Sequence, residues 1–131
     1  GGRARIKRIN ETIELSSNFT EPSQFESCLD RWYRDQAGRI FTDRQQWLIA
    51  RHQIPAPTEL KVRKMRAKWG SCSQSGLITL NLWLITQDIR AVDYVILHEL
   101  CHLSYFNHTP DFYAHLAALM PDWKRRRALL V

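Results

Sequence analysis

The pattern along these 131 residues predicts an α+β domain in which a small sheet packs on a helix carrying H-E-x-x-H. Three observations carry that expectation. Helical periodicity dominates residues 22–54, strand-like segments at 59–65 and 77–81 flank a Gly/Ser-rich turn, and two further helical stretches follow. The first of those stretches is apolar on nearly every side apart from His98, Glu99 and His102.

The first helix is expected to open at Pro22 to Ser23, where Ser23 and Glu26 have capping-box spacing. Phe25, Leu29, Trp32, Gln36 and Ile40 recur at helical intervals, and Trp47 and Leu48 continue the stripe. Gly38 is a possible break. The Ile54-Pro55-Ala56-Pro57 stretch ends the helical region, since proline cannot sit in a helix interior and constrains its predecessor. Trp69-Gly70-Ser71-Cys72 reads as a bend, and Ser73-Gln74-Ser75-Gly76 as a hairpin-type loop. A helix is then expected from about Ile89 to Tyr105. Another runs from Pro110 to Met120, with Thr109 as N-cap, Pro110 in the first turn and Pro121 closing it.

At 15.5 kDa the chain has room for one domain with a real core. Its 44% hydrophobic and 24% charged residues are ordinary globular values and exclude a disordered chain. Gly1-Gly2 reads as a cloning remnant, and residues 1–21 as a basic N-terminal arm ahead of a catalytic unit at 22–131. No stretch approaches the ~18 apolar residues that would suggest a membrane span. Cys28, Cys72 and Cys101 show neither disulfide-framework nor paired-zinc spacing, which favours a cytoplasmic protein. The net charge of +6 is concentrated at residues 3–8, 61–68 and 124–127. Such surfaces attract phosphates and nucleic acid, and serve equally well as solvated faces.

The chemistry lies in residues 98–108. Positions i and i+4 of a helix stand one above the other, so His98 and His102 can direct both imidazoles at one point while Glu99 reaches a water there. From this composition H-E-x-x-H arises by chance in roughly one such sequence in a hundred, so context must decide. Tyr94, Val95, Ile96, Leu97, Leu100, Cys101 and Leu103 make the helix apolar nearly all round, which implies burial. Two imidazoles and a carboxylate buried without partners would cost several kcal/mol, and a metal ion with its water supplies those partners. A hydrolytic zinc keeps three protein ligands and leaves one position open. Candidates for the third are His108, Asp111, His115 and Asp122. His108 is preferred because the chain need only leave the helix and turn back, with Asn107 able to adopt the left-handed conformation that ends helices. His115 is the second choice. A metzincin does not fit, because Tyr105 stands where H-E-x-x-H-x-x-G-x-x-H needs its glycine.

The combination of Trp69-Gly70-Ser71-Cys72, Gly76 through Asn81, Asp93 through Leu103, Asn107-His108-Thr109, Phe112 and Pro121-Asp122 resembles the YgjP-like metal-dependent hydrolases, zincin-like proteins related to the WLM and SprT/Spartan groups. The resemblance covers roughly residues 22–130. It implies a zincin-like fold, a divalent metal (zinc first, with nickel or manganese compatible) and hydrolysis of the metallopeptidase type. It further implies His98, His102 and His108 as ligands and Glu99 as catalytic base. Two departures stand out. Lys68 occupies a place where the family commonly has arginine, and the β-rich segment that usually precedes the first helix is largely missing, as in a catalytic core taken from a longer protein.

Three classes of function follow: a peptidase acting on unfolded or exposed polypeptide, a phosphohydrolase of nucleoside triphosphates, and a metal-stabilised nucleic-acid-binding module. In the second, the basic segment 61–68 would hold phosphates. Neither a membrane nor an obligate protein partner is expected. The segment 77–81 is either an edge on which an extended substrate pairs, touching Leu77, Thr79 and Asn81, or plain core packing. Trp69 and Gly70 either wall the site or turn the chain, with packing favoured for Trp69. Tyr105, Tyr113 and His115 are candidates for stabilising an oxyanion.

Overall fold

The computed structural model describes residues 22–131; the basic arm expected at 1–21 lies outside the described residues. The element order is α1 (Pro22–His52), β1 (Glu59–Arg63), β2 (Gly70–Cys72), β3 (Leu77–Asn81), a 3-10 turn (Leu82–Thr86), α2 (Ile89–Cys101), α3 (Pro110–Leu119) and α4 (Trp123–Arg127). This is the expected α+β arrangement, a small sheet packed on the helix that bears the motif.

Helix α1 runs unbroken through Gly38, since a glycine costs a helix only about 1 kcal/mol and packing readily outweighs it. Its buried seam is Tyr33, Ala37, Phe41, Gln45 and Leu48. That is one residue on from the expected Trp32, Gln36 and Ile40, which are partly buried, while Trp47 is exposed. One residue turns a helix by about 100°. The small Ala37 lets the backbone approach the core while Trp32 and Ile40 pack beside it. The helix ends where Gln53 takes a left-handed φ of 53°, followed by a hydrogen bond from the Ile54 N–H to the Ile49 carbonyl.

The sheet order is β1-β3-β2, with β1 parallel and β2 antiparallel to β3. Of the expected bend, Trp69 remains one, while Gly70–Cys72 enter the sheet as β2. Its three residues are too few for any periodicity to register. The β2–β3 hairpin closes through Gly76 at φ +89°, a backbone conformation suited to glycine. The chain passes from β1 over β3 to the far edge, and Asn81 pins that crossover. Its side-chain amide donates to the Met65 and Lys68 carbonyls at 3.0 and 2.8 Å, and its oxygen accepts from the Trp83 N–H at 3.1 Å.

Helix α2 lies at the centre. Asp88 caps it, and Ala91 through Leu97, Leu100 and Cys101 are buried. Around it close Phe41 and Leu48 of α1, Ile78 and Leu80 of β3, Leu82 and Leu84 of the 3-10 turn, and Phe112 and Leu116 of α3, all at most 1% exposed. The helix stops at Cys101, four residues short of Tyr105. The N–H groups of His102, Leu103 and Ser104 bond back three residues, tightening the last turn and swinging the chain towards His108. Asn107 takes no part through a left-handed backbone, because Gln53 is the sole non-glycine with positive φ among the described residues.

One ion pair anchors this helix to α1. Arg44 grips the buried Asp93 carboxylate with both arms at 2.8 and 2.7 Å. Arg44→Ala is expected to cost about 1–3 kcal/mol, measured by urea unfolding, because it leaves a desolvated carboxylate without its partner. Gly38→Ala should have the opposite sign. The added methyl meets nothing within 4 Å, so a gain of about 0.5–1 kcal/mol is expected in the same assay.

Candidate metal centre

His98 and His102 sit on the last turn of α2 and at its C-cap, so both imidazoles leave the same face. His108 returns to them from the segment before α3, which Thr109 caps by accepting from the Phe112 N–H. One donor nitrogen from each ring lies within 4.8 Å of the other two. The ring centroids stand 5.1 Å apart for His98 and His102, 5.2 Å for His98 and His108, and 4.6 Å for His102 and His108. Phe112, fully buried, forms the floor beneath all three, 4.5 Å from His102 and 5.0 and 5.1 Å from the others. Tyr113 stacks on the outer side of His108.

The hydrogen bonds suit these rings to a cation. A carbonyl can only accept, so the 3.3 Å contact between His102 Nδ1 and the Tyr105 carbonyl puts the proton on Nδ1 and leaves the Nε2 lone pair free. His98 Nδ1 similarly faces a Glu99 carboxylate oxygen at 3.2 Å. Burial lowers the pKa of His108, and charge on His102 or His98 would lower it further, so the neutral, ligating form is favoured. Nitrogens sharing one zinc at about 2.1 Å stand roughly 3.4 Å apart, so small ring rotations convert the observed cluster into a ligand set. The other candidates lie elsewhere. His115 packs against Tyr105 at 5.3 Å, Asp122 is bound to Arg126, and Asp111 is an exposed residue in the first turn of α3.

Glu99 is buried and turned towards β2. A Cβ on Gly70 would stand 3.1 Å from its Cγ and 3.3 Å from its Oε2, so any larger residue would need the carboxylate to give by a few tenths of an ångström. Gly70 is thus a residue of the site through what it lacks. Trp69 is partly buried against the core and also lines the cleft. The cleft over the imidazoles has a volume of about 340 Å³, and Ser71, Cys72, Phe106 and Lys68 complete its walls. Burial and the Glu99 charge raise the Cys72 thiol pKa, and Cys101, deeper still, is pushed up to about 12. Cys72 and Phe112 went unremarked as site residues in the sequence, because nothing in a lone cysteine or an apolar helix position marks it as a wall or floor.

Two expectations are corrected. Strand β3 cannot take an added strand, because both its edges are occupied, and Leu77, Thr79 and Asn81 line neither cavity beside the imidazoles. The open edge beside the site belongs to β2. There the Trp69 carbonyl and Ser73 N–H bond across to β3, so alternation turns the backbone groups of Gly70 and Cys72 outward. The cations of 61–68 do not gather at the site either. Lys61 and Arg63 are on β1, the opposite edge of the sheet, and Lys64 pairs with Asp30; Lys68 reaches the cleft. Tyr105, Tyr113 and His115 line neither cavity.

A small mixed sheet laid on the helix that carries His98 and His102 defines a zincin-like fold. The metallopeptidase zymogen abylysin of Pyrococcus abyssi superposes with a TM-score of 0.60 at 19% identity, over 67% of this chain and 89% of its own. The metallopeptidase zymogen jannalysin of Methanocaldococcus jannaschii gives 0.57 at 21% identity, over 67% and 90%. No curated protein matches. The family model of the YgjP-like metallopeptidase domain matches residues 2–131. The chain belongs to that family, which makes it a metallopeptidase-like hydrolase with a divalent metal.

Gly70→Ala tests the close approach of β2 to the carboxylate. The new methyl would press on Glu99 and on Leu80, so the carboxylate must give by a few tenths of an ångström. If turnover depends on where that carboxylate lies, it should fall by up to about tenfold, measured as kcat at unchanged metal content.

Proposed function

We propose that the protein is a zinc-dependent peptidase in which His98, His102 and His108 hold the ion and Glu99 is the general base. The observation that carries this reading is the meeting of three imidazole donors within 4.8 Å beside a buried carboxylate. When bound, the ion polarises the scissile carbonyl and acidifies the attacking water. Nickel and manganese are also compatible with three nitrogens.

The chain's own residues supply the rest. An extended polypeptide pairs with the outward N–H and C=O groups of Gly70 and Cys72 on β2, which presents its backbone to the cleft. Glu99, held against Gly70, accepts the proton of the attacking water at its carboxylate and returns it to the leaving amine. The Tyr105 carbonyl keeps the proton of His102 on Nδ1 throughout. The catalytic unit is assigned to residues 22–131. We assign a cytoplasmic setting from the spacing of Cys28, Cys72 and Cys101, which fits neither a disulfide framework nor a paired-zinc site. Among the described residues no helix is long and apolar enough to cross a membrane.

Glu99→Gln separates the base from the ligands. The variant should retain stoichiometric metal by atomic absorption and lose casein cleavage at least a hundredfold, whereas His98→Ala should lose the metal itself. Undiminished cleavage by Glu99→Gln would refute the base assignment. Failure of the wild type to bind metal in excess zinc would end the reading.

A further inference from the structure

Past Glu99 the cleft continues, on the side away from His102 and His108, into a second cavity of about 300 Å³ that shares His98, Glu99, Gly70 and Lys68 with the first. That volume is at the lower end of ligand-site sizes and suits one side chain rather than a large ligand. Trp69, Val95 and Leu130 give it apolar walls, and its polar groups come from Tyr94, Lys68 and Arg127.

Lys68 and Arg127 are the informative pair. Among the described residues neither takes part in an ion pair, although five other Arg or Lys side chains do. Arg127 rests on the Trp123 ring, 5.0 Å from its centroid, which steadies the guanidinium without neutralising it. Tyr94 is buried on α2 and stacked on Trp123, and it is within electrostatic reach of both Arg127 and Glu99. Two cations against the one carboxylate of Glu99 leave the lining with a net charge of +1. A basic occupant would meet two like charges, whereas an acidic one would meet two cations that face solvent at the mouth of the cavity.

Building on the peptidase reading, we propose that this cavity is the specificity pocket for an acidic side chain flanking the scissile bond, with Arg127 and Lys68 as the residues that select it. The methylenes of a glutamate lie along Trp69, Val95 and Leu130 while its carboxylate meets the two cations. The cavity adjoins Glu99, so the selected residue is held next to the bond being cut. Because Lys68 lines both cavities, it shields the bound carboxylate from Glu99.

Two assays test this. In the first, zinc-loaded protein is given a set of peptides identical but for Glu, Gln or Lys on either side of one bond. The Glu peptide should be cut with a kcat/KM about tenfold above its Gln counterpart and further above Lys. Arg127→Glu should invert the order of Glu and Lys, and Arg127→Lys should restore it. In the second, the zinc-loaded Glu99→Gln protein binds the same labelled peptides, read by fluorescence anisotropy. The Glu preference should again disappear in Arg127→Gln, a milder change should charge reversal unfold α4. Equal cleavage and binding of all three peptides, or a Glu preference unaltered by either Arg127 variant, would overturn the pocket assignment while leaving the peptidase reading intact. Saturable ATP binding without any peptide preference would likewise overturn it, reassigning the cations to phosphate. Absence of cleavage of every peptide, with preferential binding retained, would instead count against the peptidase reading and for the pocket.

Discussion

A helix apolar on almost every side cannot carry two imidazoles and a carboxylate unless something compensates their burial, and that constraint organises this protein. Helix α2 is enclosed by α1, β3, the 3-10 turn and α3, which takes Glu99 and His102 out of water along with the leucines around them. Part of the compensation is internal: the Tyr105 carbonyl accepts a hydrogen bond from His102 Nδ1–H and Glu99 lies against His98. The remaining imidazole lone pairs converge where His108 arrives, which is the setting in which a divalent ion is worth most.

The same enclosure explains why the neighbouring elements have the shapes they have. Strand β2 comes close enough to place a backbone edge beside Glu99, and a side chain on its first residue would crowd that carboxylate. Asn81, whose amide closes on the 65–68 crossover, is what delivers β2 to that edge. The short turn after Cys101 has an equivalent task on the other side. Tightening to three-residue bonds lets the chain reverse within a few residues and set His108 beside His102 over the Phe112 floor. The Arg44–Asp93 pair fixes α2 against α1. Catalytic geometry and fold stability therefore draw on the same contacts. Lys68 and Arg127, which line the cavity beside Glu99, stand outside these contacts and form no ion pair with a carboxylate.

Legibility in the sequence followed the length of the signal. Strand β3 was readable over its full length, and α2 began where its apolar run was expected to begin, because both are strong local patterns. Strand β2 was not, since three residues cannot express a period, and its pairing depends on the loop that Asn81 holds. Leu48 of the expected α1 stripe is buried, but ahead of it the seam lies one residue on from the expected positions, because apolar side chains lie on two adjacent faces and only the partner surfaces decide which is covered. Of the two readings of β3, the sheet order leaves only core packing: whether a strand is central or at an edge is a property of that order, to which no single strand's residues testify.

The shared face of His98 and His102 could be read directly, because the pitch of a helix converts a spacing of four into a common direction. That conversion needs nothing outside the helix, so the residues alone were enough. The selection of His108 over His115, the role of Gly70, the Phe112 floor and the pairing of Lys68 with Arg127 across a cavity belong to tertiary structure. Each depends on segments distant along the chain being brought together by burial of the core, and distance along the chain says nothing about which of them will meet.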